Sequence, residues 1–140
     1  YTNKNFEEFI INNFVNVKNL YLLQCTSSYP TPDKHTQIGV VRHYYNLSKQ
    51  NSRIIPGFSS HDVGSLCSMM AVAAGAKMIE KHVKFGHVSW SHFDEVAVDL
   101  ENGDFNKFVA DIRNAEEIVG SEEKVIHESE HHKYWLNNKD

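Results

Sequence analysis

The sequence predicts an α/β protein built on parallel strands. Three short apolar runs, each ending in polar side chains, are separated by segments with helical periodicity. Such alternation means parallel strands joined by crossover helices. The strand-to-strand step of roughly 25–35 residues fits one βα unit each. No Gly-rich dinucleotide fingerprint follows any of the runs. A flavodoxin-like open sheet and a portion of a (β/α)8 barrel both satisfy this pattern. Three strands are few for a complete open sheet. A barrel portion explains that count together with a sequence that opens on YTNKNFEEF, without methionine.

Residues 4–17 read as a helix, with Phe6, Phe9, Ile10 and Phe14 on one face and Asn3 or Asn5 as its cap. Residues 20–26, an evenly apolar run, form the first strand. Residues 36–50 form a second helix and 53–59 a second strand. Residues 64–76, rich in small side chains, predict a well-buried helix, and 77–84 a third strand. A loop rich in histidine and aromatics follows to about residue 97. Residues 104–119 have amphipathic spacing and stop at Gly120. The expected division is a partial barrel over 1–120 and a charged tail over 121–140.

A chain of 140 residues is long enough for one domain with a core. Its net charge of -4 argues against a nucleic-acid surface. No run approaches the ~18 apolar residues of a membrane span, and the opening lacks a secretion-signal pattern. Cys25 and Cys67 lie far apart in apolar surroundings, which fits a reducing, cytoplasmic setting.

Ligands of parallel α/β folds bind at the carboxyl ends of the strands. The first strand ends in Cys25-Thr26-Ser27-Ser28-Tyr29, the second in Ser59-Ser60-His61-Asp62, and the third in Glu80-Lys81-His82. Side chains alternate along a strand, so Ile55, Gly57, Ser59 and His61 share one face, as do Met78, Glu80 and His82. Adjacent strands lie about 4.8 Å apart. Histidines at matching heights therefore suit one shared divalent ion, with carboxylate or water completing its shell. The alternative is that each histidine satisfies a local hydrogen bond. The hydroxyls of Thr26, Ser27, Ser28 and Ser59 suit a phosphate or carboxylate oxygen, although Ser and Thr are also ordinary turn residues. His87 and His92 can approach from the loop. His35 and His43 read as solvated, and Trp90, Phe93 and Trp135 as packing. His127, His131 and His132, with Glu128 and Glu130, read as a solvated tail cluster.

The blocks LLQCTSSYPTP, PGFSSH and AAGAKMIEKHV, in that order and spacing, resemble the sialic acid synthase family. The likeness is strong over residues 18–84 and looser in the helix that follows. It implies a (β/α)8 barrel of which these are the sixth to eighth strands. Five earlier strands, which carry the family's phosphoenolpyruvate-binding lysines, and a small C-terminal domain would lie outside this sequence. The implied activity is condensation of phosphoenolpyruvate with N-acetylmannosamine or a related N-acyl sugar. The enzyme would be a homodimer at full length, and a fragment this short would be inactive alone.

Carried over by residue, His61 and His82 are the implied metal ligands, for Mn2+. Thr26, Ser27, Ser28 and Ser59 are implied substrate contacts, and Tyr29 the site tyrosine. Asp94 or Glu95 is the implied acidic residue of the post-strand loop. Imidazole ligates only when neutral, so activity is expected to fall at acid pH. Glu80 is placed beside a ligand or as partner to a cation. Three departures stand out. Ser27 replaces the common Asn, and Ser60 replaces the usual Asp between Ser and His. HVSWSHFDEVAVDL stands where members carry a Gly-Pro-Asp element, leaving sialic, legionaminic, pseudaminic and other nonulosonic acids open as products. A non-catalytic half-barrel module and another metal-dependent barrel aldolase are the competing expectations.

Overall fold

Why the three apolar runs pair side by side is plain from their lengths and from the helices that return the chain between them. The computed structural model describes residues 2–130. In order it has α1 (Lys4–Asn13), β1 (Leu20–Cys25), α2 (Asp33–Thr36), α3 (Gly39–Gln50), β2 (Ile54–Ser60), α4 (Leu66–Ala73), β3 (Met78–Lys81), β4 (Val83–Lys84), a 3-10 turn (Asp94–Val96), β5 (Val98–Asp99) and α5 (Asp104–Val119). β1, β2 and β3 pair in parallel in that order. Cys25 sits opposite Ser59, and Ser59 opposite Glu80.

Phe58 marks the helix side of the sheet. It packs with Val41 of α3, with Cys67 and Ala71 of α4, and with Ala74 and Ala76, while Ile38 and Ile79 close the edge. Both crossover helices thus lie against one face. A doubly wound sheet would put helices on both, whereas a barrel wall has them on one. Alternation sends Tyr21, Leu23 and Cys25, then Ile55, Gly57 and Ser59, then Met78 and Glu80, to the other face. There Tyr21 and Met78 stay 50% and 39% exposed, so this face is uncovered among the described residues. Gly57 sits where three strands crowd: a Cβ would lie 2.9 Å from Leu23 Cγ and 2.9 Å from the Met78 carbonyl oxygen.

Several boundaries differ from the sequence expectation. α1 stops at Asn13, and its apolar face is uncovered among the described residues, with Phe6, Phe9 and Phe14 about half exposed. Asn3 does cap it, accepting from the Asn5 and Phe6 amides. α4 is not buried all round, for Leu66 and Met70 face outward. The third strand breaks at His82: β3 pairs with β2, but β4 pairs with the unforeseen β5. α5 ends at Gly120, whose φ of 59° suits glycine. No helix among the described residues is long and apolar enough to cross a membrane.

Candidate active site

The ends of β2 and β3 bring two imidazoles together. His61 and His82 each follow the last residue of their strand, and those last residues, Ser60 and Lys81, face one another across the pair. Their rings stack with centroids 5.2 Å apart. Tyr29 lies 4.2 Å from the His61 ring and 5.7 Å from His82. Phe93 covers the far side of His82, nearly parallel at 4.7 Å, and His92 meets Tyr29 edge-on at 4.8 Å. Phe93, assigned to packing from sequence, is therefore part of the site wall.

The buried His61 is held from several directions. Its Nδ1–H donates to the Thr26 carbonyl at 2.8 Å, and Cys25 Sγ lies 3.8 Å from the same nitrogen. Its own carbonyl accepts from the Thr31 amide at 2.8 Å. With Nδ1 as donor, Nε2 carries the lone pair. Burial, first, and the neighbouring charge of His61 hold His82 below the ordinary imidazole range. The first feature fixes which His61 nitrogen can face a ligand, and the second favours a neutral, ligating His82. Two such donors fit part of the shell of a first-row divalent ion. Among the described residues no three His, Cys, Asp or Glu side chains converge as a fuller ligand set.

The hydroxyls at the end of β1 are partly committed. Thr26 Oγ1 donates to the His35 carbonyl at 2.9 Å, and Ser28 Oγ to the Pro30 carbonyl at 3.1 Å. A hydroxyl has one proton, so in this arrangement Thr26 and Ser28 do not offer it to an anion. They stabilise the turn that carries Tyr29 into the cis Tyr29–Pro30 bond. Thr31 completes that turn: its hydroxyl lies 2.9 Å from the Ser28 carbonyl and 3.1 Å from the Thr26 carbonyl, which share its one proton. Ser27 is exposed. Ser59 Oγ donates to Glu80 Oε1 at 2.6 Å, which places a carboxylate on the face that His61 and His82 share.

The two acidic candidates of the loop part company. Asp94 accepts from the Val88 amide at 2.6 Å, pairs with Lys84 at 3.1 Å and meets His87 at 2.7 Å. The Val88 amide above all, then Lys84 and His87, hold its carboxyl below the usual range. Asp94 thus ties the loop together, and its contacts are not with the histidine pair. Glu95 is exposed and lines a separate cavity with Ser65, Lys84, Asp99 and Lys107. Of the remaining histidines, His43 meets Glu7 at 2.8 Å, and His35 and His127 are exposed. His131, His132 and Trp135 lie outside the described residues.

Behind the pair, on the helix side, is a polar cluster absent from the sequence expectation. Lys81 Nζ donates to Ser60 Oγ at 2.9 Å and to the Asp62 carbonyl, and Ser60 Oγ donates to Asp62 Oδ1 at 2.5 Å. Burial lowers the Lys81 ammonium, with Asp62 opposing. The nearby Cys67 thiol is pushed up to about 11, by burial first and by Asp62 second. The alternation that placed His82 on the open face also turns Lys81 inward to the helices, so this cluster was open to inference.

Comparison with known proteins follows the same lines. The model of the NeuB family matches residues 7–124. Human N-acetylneuraminate-9-phosphate synthase is 36% identical over 109 residues, covering 77% of this chain and 29% of that protein. Pseudaminic acid synthase of Campylobacter jejuni subsp. jejuni serotype O:2 is 33% identical over 113 residues, covering 76% and 31%. N-acetylneuraminic acid (sialic acid) synthetase of Leptospira borgpetersenii serovar Hardjo-bovis, a solved structure, superposes with a TM-score of 0.62 at 25% identity over 78% of this chain and 36% of that one. The chain thus spans about a third or less of the relatives it matches. With a family match across most of its length, this chain belongs to the NeuB family.

Proposed function

We propose that this chain supplies the metal-binding wall of a barrel synthase. The enzyme joins phosphoenolpyruvate to an N-acyl hexosamine, giving a sialic or other nonulosonic acid and releasing phosphate. β1, β2 and β3 are then the sixth to eighth strands of that barrel. The observation that carries this reading is the His61–His82 pair, stacked at 5.2 Å beneath Tyr29 at the carboxyl ends of neighbouring strands.

In the proposed reaction, carbon 3 of phosphoenolpyruvate bonds to the aldehyde carbon of the open-chain sugar. The aldehyde oxygen takes a proton and becomes a hydroxyl. Water adds at carbon 2, phosphate leaves from it, and carbon 2 ends as a ketone. A divalent cation held by His61 and His82, Mn2+ in this proposal, supplies Lewis acidity toward the aldehyde oxygen. Tyr29 borders the substrate space and limits how the sugar approaches. Ser59 orients Glu80, and Ser27 remains the turn hydroxyl best placed to meet an anion. Asp94 acts indirectly, by fixing the loop whose Phe93 backs His82. The rest of the substrate site, and the homodimer interface proposed for the whole enzyme, lie with other parts of the protein.

The test is phosphate release by the intact protein given phosphoenolpyruvate, an N-acyl hexosamine and Mn2+. Release that depends on the sugar is expected. Sugar-independent or absent release across N-acetylmannosamine and the bacterial diacetamido hexoses would overturn the reading.

A further inference from the structure

Lys81 is a cation in a place where cations are costly, and its contacts bracket one residue. It directly follows Glu80 and precedes His82, and it sits opposite Ser60 in the β2–β3 register. Its Nζ donates to Ser60 Oγ, one residue before His61, and to the Asp62 carbonyl, one residue after it. Ser60 is fully buried, and Asp62 is 4% exposed. The ammonium also lies 5.8 Å above the Phe108 ring of α5, which covers it from the helix layer. Asp62 Oδ1 accepts from Ser60 Oγ, while its Oδ2 is buried without a hydrogen-bond partner among the described residues. A long flexible side chain is thus held by acceptors on both flanks of His61 while its own backbone carries His82.

We propose that Lys81 is a positioning residue for the histidine pair: one side chain ties the residues on both sides of His61, the Ser60 hydroxyl and the Asp62 carbonyl, to the strand that bears His82. The ladder hydrogen bonds between β2 and β3 end at Ser60 and Lys81, just before the two imidazoles. Beyond that point β2 ends, and the chain after His82 pairs, as β4, with β5 instead. The Lys81 clamp continues the link across the gap where the ladder stops. Ring spacing at the pair then depends on Lys81 as well as on strand register. Outer groups of this kind hold ligands in geometry, and removing one typically weakens metal binding about 10–100-fold.

This inference rests on the metal reading above, and the experiment separates the two. Mn2+ affinity is measured on the intact protein by electron paramagnetic resonance, for wild type, His61→Ala, His82→Ala, Lys81→Met and Ser60→Ala. Thermal unfolding of each metal-free variant is recorded alongside. Loss of binding in both histidine variants, with about tenfold weaker binding in Lys81→Met, is the expected result. Ser60→Ala, which removes one acceptor and little volume, is expected to weaken binding about threefold. Unchanged Mn2+ affinity in folded Lys81→Met, whatever its unfolding temperature, overturns the positioning role and leaves the metal reading standing. Unchanged affinity in the histidine variants overturns the metal reading itself. If Lys81→Met does not fold, Ser60→Ala decides: affinity equal to wild type overturns the clamp.

Discussion

The two faces of the β1–β2–β3 sheet do different work. On one, Phe58 is sealed under α3 and α4 with Val41 and Ala71, both fully buried. On the other, Tyr21 and Met78 are left exposed, while at the strand ends side chains close together around His61 and His82. The dry face holds the strands in register, and the open face uses that register to bring His61 and His82 together. Under the proposed function, stability and chemistry are then separable by a single step along a strand, because neighbouring residues point to opposite sides.

Truncation across that step tests where the contrast comes from. Phe58→Ala removes a buried ring from a closed cluster and should cost about 3–5 kcal/mol. Tyr21 lies on the face that would turn into the interior of the proposed barrel, which is a packed core. Tyr21→Ala should therefore cost about 2 kcal/mol or more in the intact protein. Denaturant unfolding of both variants in the intact protein measures the two losses. A Tyr21→Ala loss of about 1 kcal/mol or less would mean that this face stays open in the intact protein, and would contradict the barrel reading.

Much of this was legible in the sequence for reasons tied to particular residues. The apolar run Leu20–Leu23 and the stop at Pro30 and Pro32 marked β1 and its turn. Period-2 alternation placed His61 and His82 on one face, and parallel pairing placed them at one height. What the sequence hid was non-local or competitive. The hydroxyls of Thr26 and Ser28 turned to nearby carbonyls, a local option that competes with ligand binding. The break at His82 depends on β5, whose two residues return from beyond the loop. Phe93 reaches His82 only because Asp94 folds that loop back on Val88 and Lys84. α1 showed an apolar face that nothing among the described residues covers.

The loop offers a smaller, pH-based way to sharpen the comparison. The Asp94 carboxyl is held below its ordinary range, so its anchoring is fully present above about pH 3.9, the unfolded value. It is lost as pH falls through the folded value. The Val88 amide resonance, reporting its bond to Asp94, should shift with a midpoint below about pH 3.9. In Asp94→Asn that titration should disappear. A midpoint at or above the ordinary aspartate value would mean that the loop is not tied as described, and Phe93 would lose its support behind His82.

The most direct measurement is which histidines a metal finds. In intact protein with 15N-labelled histidine rings, sub-stoichiometric Mn2+ should broaden His61 and His82 first, by proximity. His43, engaged with Glu7, and the exposed His127 should keep sharp signals until Mn2+ is in excess. Early broadening of His127 with His61 and His82 unchanged would contradict the account, because the pair at the strand ends would then not be the metal site.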